Sequence, residues 1–317
     1  MFDLRQRSLF WKSQLLQQDP FAPTSLVAVT QILNDWLAEL ADNFPQGPAN
    51  RLPSSEIWSV AKDLLSRGWL QNRARTKPRG YAGDYELFVR ICDQIVCDDP
   101  WGRVFDHYFL AQAAPIAVRE RTHFVGQTLA ERVIASATLE SEFKFVSIGC
   151  GPARDLQIAC QSLHSDHRQR IQAILIDLDP AALEYAQASL KEFLPPTNLV
   201  LERQNLLKVP GNKAITGLCS GSSLTSCTGF FDYLRDDEAI KLLRFMDSTL
   251  GNGGRGIVFH MSPDNPTRPY MEWIANWYLN YRTREELLVL ASQATLPSEA
   301  RIISLVDGLA LGLVWDR

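Results

Sequence analysis

A chain of 317 residues, 46% hydrophobic and 21% charged, holds enough apolar material for a large core and for more than one small domain. Its formal charge of −4 sets up no cationic field to draw in a polyanion, which excludes nucleic acid as an expected main partner. No apolar run approaches the roughly 20 residues that span a bilayer, and the amphipathic start MFDLRQRSLFWKSQLLQQ lacks the clean apolar stretch of a signal peptide, so a soluble, cytoplasmic protein without a transmembrane segment is expected.

Up to about residue 137 the pattern is helical. Leu26, Val29, Ile32, Leu33, Trp36, Leu37 and Leu40 recur at helical spacing, and Ile57, Val60, Ala61, Leu64 and Leu65 repeat it. From residue 143 the rhythm changes to strand and helix in alternation. FKFVSI, IQAILID and NLVLERQNL read as strands, separated by helices over ARDLQIACQSL and PAALEYAQASLKEFL. SLTSCTGFF continues the sheet, DDEAIKLLRFMDSTL is a helix, and GNGGRGIVFHM turns into a fifth strand. The final stretch, ARIISLVDGLALGLVWDR, is two β-rich runs around Asp307-Gly308, a hairpin signal. The fold class is therefore α/β, a parallel sheet with crossover helices closed by an antiparallel hairpin, behind an N-terminal helical cap over 1–125. The six cysteines form no CxxC and have no histidines at ligand spacing, so they are expected to be reduced thiols and no metal site is expected.

The first strand breaks into Gly149-Cys150-Gly151. A dinucleotide fingerprint needs a third glycine three residues on, where Arg154 stands, and this weakens a pyrophosphate reading. The turn is still expected to offer backbone N–H groups at a helix start and to let a ligand approach the main chain. The next strand ends in Asp177, 28 residues beyond Gly149, where a carboxylate can accept both hydroxyls of a ribose. Asp179 before Pro180 reads as a helix cap.

Over residues 126–317 the sequence resembles the class I S-adenosylmethionine-dependent methyltransferases. VSIGCGPA is similar to their first motif, LIDLDP to the second, ERQNLL to the third, TSCTGFFDYL to the fourth and LGNGGRGIVF to the turn into strand five. The resemblance implies a seven-stranded Rossmann-like sheet and S-adenosyl-L-methionine as cofactor. It implies a cofactor site at Gly149, Cys150, Gly151, Asp155, Asp177, Leu178, Asn205, Leu206, Thr228 and Gly229, with Asp155 near the methionine amino group. TKPRGYAGDYEL (76–87), FFDYL (230–234) and MEWIANWYLNYRTREEL (271–287) further resemble a bacterial methyltransferase group associated with 3-hydroxypalmitic acid methyl ester biosynthesis. Within it, RGYAGDYEL reads as a lid before a helix capped by Asp84, with Tyr81 near the sulfonium, whose charge aromatic faces attract by about 0.5 to 2 kcal/mol.

Methyl transfer from a sulfonium is an in-line displacement, so alignment and exclusion of water are the main demands. A carboxylate acceptor is already ionised at pH 7 and needs only positioning, for which Arg79, Arg119 and Arg282 are the candidates. A hydroxyl acceptor needs a base, and His260 and His107 are the histidines best placed. Phe230 and Tyr233, after the fourth strand, and Trp273 and Trp277, in an aromatic stripe at helical spacing with Tyr278 and Tyr281, are the candidate walls of an apolar pocket. The expected function is O-methylation of a hydrophobic small molecule, with the carboxylate of a hydroxy fatty acid as the leading acceptor and homodimerisation left open. Ser147, Asn205 and Ser223 stand where acidic residues are common in such motifs, which keeps a non-catalytic partner protein as the alternative, ahead of a nicotinamide-dependent oxidoreductase.

Overall fold

The structure is a computed structural model and describes residues 2–136 and 142–317. The chain forms two compact units, Met1–Ile116 with Asn265–Tyr278, and Ala117–Asp264 with Leu279–Arg317. The sequence reading divided the chain at 125/126. That point falls inside one continuous helix, and residues 265–278 group with the first unit although the sheet surrounds them in sequence.

The first unit consists of α1 (Leu4–Leu16), α2 (Ser25–Asn43), α3 (Arg51–Leu65), α4 (Trp69–Thr76), α5 (Tyr85–Asp93) and α6 (Pro100–Leu110), together with the later helix α13 (Arg268–Trp273). Its core comes from the 3.6-residue apolar rows: Val29, Leu33, Trp36 and Leu40 of α2, and Ile57, Ala61 and Leu65 of α3, are all buried. Asp84 caps α5 by accepting from Leu87 N at 3.0 Å, and its buried carboxylate is neutralised by Arg73 at 2.8 Å. Glu272 of α13 accepts from Gly47 N and Asn50 Nδ2 at 2.7 and 2.8 Å, so a buried carboxylate fixes the turn that precedes α3.

The aromatic stripe expected over 273–281 does not exist as a helical face. Ala275 N donates to Tyr270 O at 3.1 Å in a 6→1 closure that ends the helix, Trp277 N reaches back to Met271 O at 2.7 Å across a left-handed Asn276 (φ +48°), and residues 276–283 are irregular. Trp273 is 2% exposed with its ring 5.3 Å from Phe44, so it is core of the first unit and not a wall open to a ligand.

The second unit begins within α7 (Ala113–Ala135) and contains the sheet: β1 (Phe143–Ile148), β2 (Ile171–Asp177), β3 (Leu199–Arg203), β4 (Ser222–Cys227), β5 (Leu250–Met261), β6 (Arg301–Leu305) and β7 (Ala310–Asp316). The strand order is β3-β2-β1-β4-β5-β7-β6, parallel from β3 to β5, with β7 antiparallel to both neighbours. Burial follows that order. β1, β2 and β7 are largely apolar and buried on both faces, β4 is buried as well although its sequence SSLTSC is rich in hydroxyls, and β3 and β6, at the two edges, are half exposed and carry Arg203 and Arg301. The crossovers are α8 (Arg154–Ser162) with the single turn α9 (Ser165–Arg168), then α10 (Pro180–Leu190), α11 (Lys213–Cys219) and α12 (Asp236–Thr249), and α14 (Arg284–Gln293) leads into the hairpin. Asp179 caps α10 through Ala181 N at 3.0 Å with Pro180 at the first helical position, as its sequence suggests. Asp307 and Gly308 at the hairpin tip both take positive φ (+50° and +89°), the condition a tight hairpin turn imposes.

One glycine of β5 has a packing role. Gly256 pairs with Trp315, and a Cβ placed on Gly256 would stand 2.1 Å from Trp315 Cζ2, so the indole lies directly across the bare backbone. Gly256→Ala is therefore expected to push out a fully buried tryptophan and to cost at least the roughly 1–3 kcal/mol of an overpacked core. A lowered urea midpoint in denaturation would show it; an unchanged midpoint would mean that the strand pair shifts freely.

Candidate active site

The carboxyl ends of β1 and β4 meet where the strand order reverses, the place where open α/β sheets bind ligands. Gly149 (φ +68°) and Gly151 (φ +51°) both occupy the left-handed region, but for different purposes. A Cβ on Gly149 would stand 3.0 Å from Phe230 Cβ and 3.3 Å from Leu206 Cδ1, so this glycine lets the loops after β3 and β4 close on the turn. A Cβ on Gly151 would meet nothing within 4 Å, so the second glycine borders open space.

The expectation that this turn offers its amides to a ligand is corrected by the hydrogen bonds. Gly149 N and Cys150 N both donate to Ile176 O (2.8 and 3.2 Å), Gly151 N to Asp177 Oδ2 (2.8 Å) and Ala153 N to Cys150 O (2.9 Å), while Pro152 has no N–H. The turn supplies room and shape in place of donors. Negative charge also gathers here. Asp177 is buried, accepts from Gly151 N and from Asp179 N (2.9 Å), and burial raises its pKa. Asp155, in the first turn of α8, is buried and pushed up to about 6 by loss of solvent. Both carboxylates add to the burial that raises the Cys150 thiol, so they flank one small region. α7 packs tightly behind it, since a Cβ on Gly126 would come within 2.8 Å of Asp155 O and Ile158 Cβ.

Around this turn stand Leu178, 51% exposed, Asn205, exposed and capping the next turn through Leu207 N (3.1 Å), and buried Leu206. Thr228, Gly229 and Phe230 are half-buried at the β4 exit. The β1, β2, β3 and β4 ends thus bring the expected cofactor residues of this unit together. Tyr233, on the short turn that follows, is 37% exposed.

The expected catalytic and acceptor-binding residues are more scattered. Tyr81, Arg79 and His107 belong to the other unit. Arg79 lies over the Tyr85 ring at 4.7 Å and pairs with Glu86 at 3.1 Å, and His107 is exposed on α6. Trp277 follows the α13 closure in that same unit. Arg282 is buried and committed to Asp236 Oδ1 (2.8 Å) and Leu234 O.

His260, at the end of β5, is 1% exposed. Nδ1 lies 3.2 Å from Asp232 Oδ1, but neither ring nitrogen makes an aligned hydrogen bond. Burial, with Arg282 and Arg121 adding like charge, lowers its pKa to about 4, against the pull of Asp232. So weak and sealed a base is poorly suited to take a proton at neutral pH, and this geometry favours a packing role over the expected catalytic one. The unfolded chain binds the proton first (ordinary pKa ~6.5), so the contribution of neutral His260 is complete above about pH 6.5, is lost as pH falls toward 4 and is constant below. Its size is on the order of 3 kcal/mol. Asp155, held up near 6, acts in the opposite sense over pH 4 to 6, because there the folded state binds its proton first. His260→Asn should therefore flatten the acid loss of stability relative to wild type between pH 6.5 and 4; parallel curves from urea titrations would refute the buried neutral imidazole.

Two residues here escaped sequence reasoning. Asp232 lay in plain view inside FFDYL, and its buried carboxylate accepts from Met261 N (2.9 Å) and Arg121 Nη1 (3.1 Å), tying the β4 exit to β5 and α7. Arg121 carried no signal among the charged residues of VRERTHF.

No protein-family model matches the chain, and no curated protein does. Among solved structures, a protein described as a possible exported protein from Bordetella parapertussis superposes with a TM-score of 0.59 at 16% identity, covering 99% of this chain and 95% of that one. The CurJ carbon methyltransferase follows with 0.52 at 12% identity, over 99% of this chain and 90% of its own. The citrinin polyketide synthase CMeT domain gives 0.51 at 11% identity, over 88% and 68%. The fold is that of the class I methyltransferases. At such identities the likeness speaks for the fold alone. Among the described residues no three His, Cys, Asp or Glu side chains gather as metal ligands would, and no helix is long and apolar enough to cross a membrane.

Proposed function

We propose that this chain is an S-adenosylmethionine-dependent methyltransferase that O-methylates a hydrophobic small molecule, the carboxylate of a hydroxy fatty acid being the leading acceptor. The observation that carries this reading is the pair of buried carboxylates, Asp155 and Asp177, at a glycine turn whose own amides are already engaged. A pyrophosphate needs free N–H donors and would be repelled by the Asp155 carboxylate at the helix start. A ligand with a ribose and an ammonium suits them: Asp177 keeps lone pairs for two hydroxyls, and Asp155 can pair with a primary ammonium. The same argument disfavours a nicotinamide dinucleotide.

S-adenosylmethionine supplies an electrophilic methyl on a sulfonium when bound. Gly149 and Gly151 would border it, Leu178 and Leu206 would flank its adenine, and Asn205 would offer edge hydrogen bonds. Phe230 and Thr228, at the β4 exit, would shape the approach of the acceptor. Because a carboxylate nucleophile needs no base, the poor basicity of His260 fits an ester-forming reaction better than ether formation.

Incubation with methyl-labelled cofactor and a panel of 3-hydroxy fatty acids, unsubstituted fatty acids and hydrophobic phenols tests the reading. Label recovered as an alkali-labile ester is expected; transfer only to phenols would move the chemistry to hydroxyl acceptors. Cofactor binding without transfer to any member would favour the non-catalytic alternative.

A further inference from the structure

Among the buried charges that the proposed reaction does not use, one stands at the β4 exit. Arg121, on α7, is 5% exposed, and among the described residues its only hydrogen bond is Nη1 to Asp232 Oδ2 at 3.1 Å. Nε is buried with no acceptor. Nη2 lies 3.7 Å from where a Cβ on Gly229 would stand, so the guanidinium runs beside the main chain of the β4 exit.

Its neighbours do not absorb the remaining edge. Asp232 has Oδ1 on Met261 N, Oδ2 on Arg121, and its main-chain oxygen on Asn280 N. The other buried cation of the cluster, Arg282, spends Nε and Nη2 on Asp236 and Leu234 O and leaves only Nη1 without an acceptor, so its carboxylate-binding edge is already taken. A buried guanidinium with an unmet Nε is costly unless a ligand meets it, and the Nε–Nη2 edge has the spacing that takes a carboxylate by two parallel hydrogen bonds.

We propose that Arg121 is a ligand-binding residue that receives a carboxylate at the β4 exit through its Nε–Nη2 edge. This rests on the methyltransferase reading. Two carboxylates have the required chemistry: that of the acceptor, which this contact would hold next to Thr228 and Phe230, and that of the methionine end of the cofactor. Either assignment makes Arg121 select for an anionic ligand at a site whose glycine turn is acidic.

The test uses the full chain, its Arg121→Gln and Arg121→Lys variants, and three probes in calorimetry: S-adenosylhomocysteine, 5′-methylthioadenosine, which lacks the amino-acid end, and 3-hydroxydecanoate. Because Arg121→Gln strands the Asp232 carboxylate, Arg121→Gln/Asp232→Asn serves if the single variant fails to fold. At least a tenfold loss for S-adenosylhomocysteine, with methylthioadenosine unchanged, would support the site and assign it to the cofactor. At least a tenfold loss for the hydroxy acid alone would support it and assign it to the acceptor. Unchanged affinity for both carboxylates in a folded variant would overturn it and leave Arg121 as a partner of Asp232 only. If wild type binds no S-adenosylhomocysteine, the methyltransferase reading fails by itself, and the hydroxy-acid arm still decides the role of Arg121.

Discussion

Asp177→Ala is expected to weaken S-adenosylhomocysteine binding at least a hundredfold. Two charge-assisted hydrogen bonds to ribose hydroxyls are worth about 1.5–3 kcal/mol each, and about 1.4 kcal/mol is a factor of ten in affinity. Asp177 also holds the turn together, because Gly151 N and Asp179 N lose their acceptors with it, so some loss of thermal stability should accompany the change. Asp177→Asn separates the two effects. Its one carbonyl oxygen can still accept from Gly151 N but not from Asp179 N as well, so an intermediate affinity with a smaller loss of melting temperature than in Asp177→Ala is expected. Wild-type affinity in Asp177→Ala, measured by calorimetry below the melting transition, would remove Asp177 from the site.

The two glycines of the turn should respond oppositely. Gly149→Ala puts a methyl group 3.0 Å from Phe230 Cβ in a backbone region that costs an L-residue about 1–2 kcal/mol, so the main effect is a lowered melting temperature. Gly151→Ala carries the same backbone cost, but its methyl enters open space. If a cofactor fills that space, Gly151→Ala should lose tenfold or more in S-adenosylhomocysteine affinity while remaining the more stable of the two. Equal affinity for wild type and Gly151→Ala would place the ligand elsewhere.

The sheet was legible because strands such as IQAILID and FKFVSI are short, mostly apolar segments bounded by turn residues and alternating with helical patterns, which leaves a buried parallel strand as the reading. The turn Asp307-Gly308 and the caps Asp84 and Asp179 were legible for the same local reason, since backbone angle and side-chain reach decide them within three residues. The aromatic run over 273–281 misled because periodicity cannot see where a left-handed residue ends a helix, and Asn276 does so here. The engaged amides of the glycine turn were hidden as well: their acceptors, Ile176 O and Asp177, come from the neighbouring strand, and only the β1–β2 register brings them there. Arg121 lies 111 residues from Asp232, and no local pattern announces such a pair.

The central claim is that the turn at Gly149–Gly151, with Asp155 and Asp177, binds the nucleoside and amino-acid ends of S-adenosylmethionine. Isothermal titration of the purified chain with S-adenosylhomocysteine tests it most directly. The account requires one-to-one binding at micromolar affinity, weakening below about pH 6 as Asp155 takes up a proton. A folded chain that gives no heat with S-adenosylhomocysteine, and whose melting temperature rises with a nicotinamide dinucleotide instead, would contradict it.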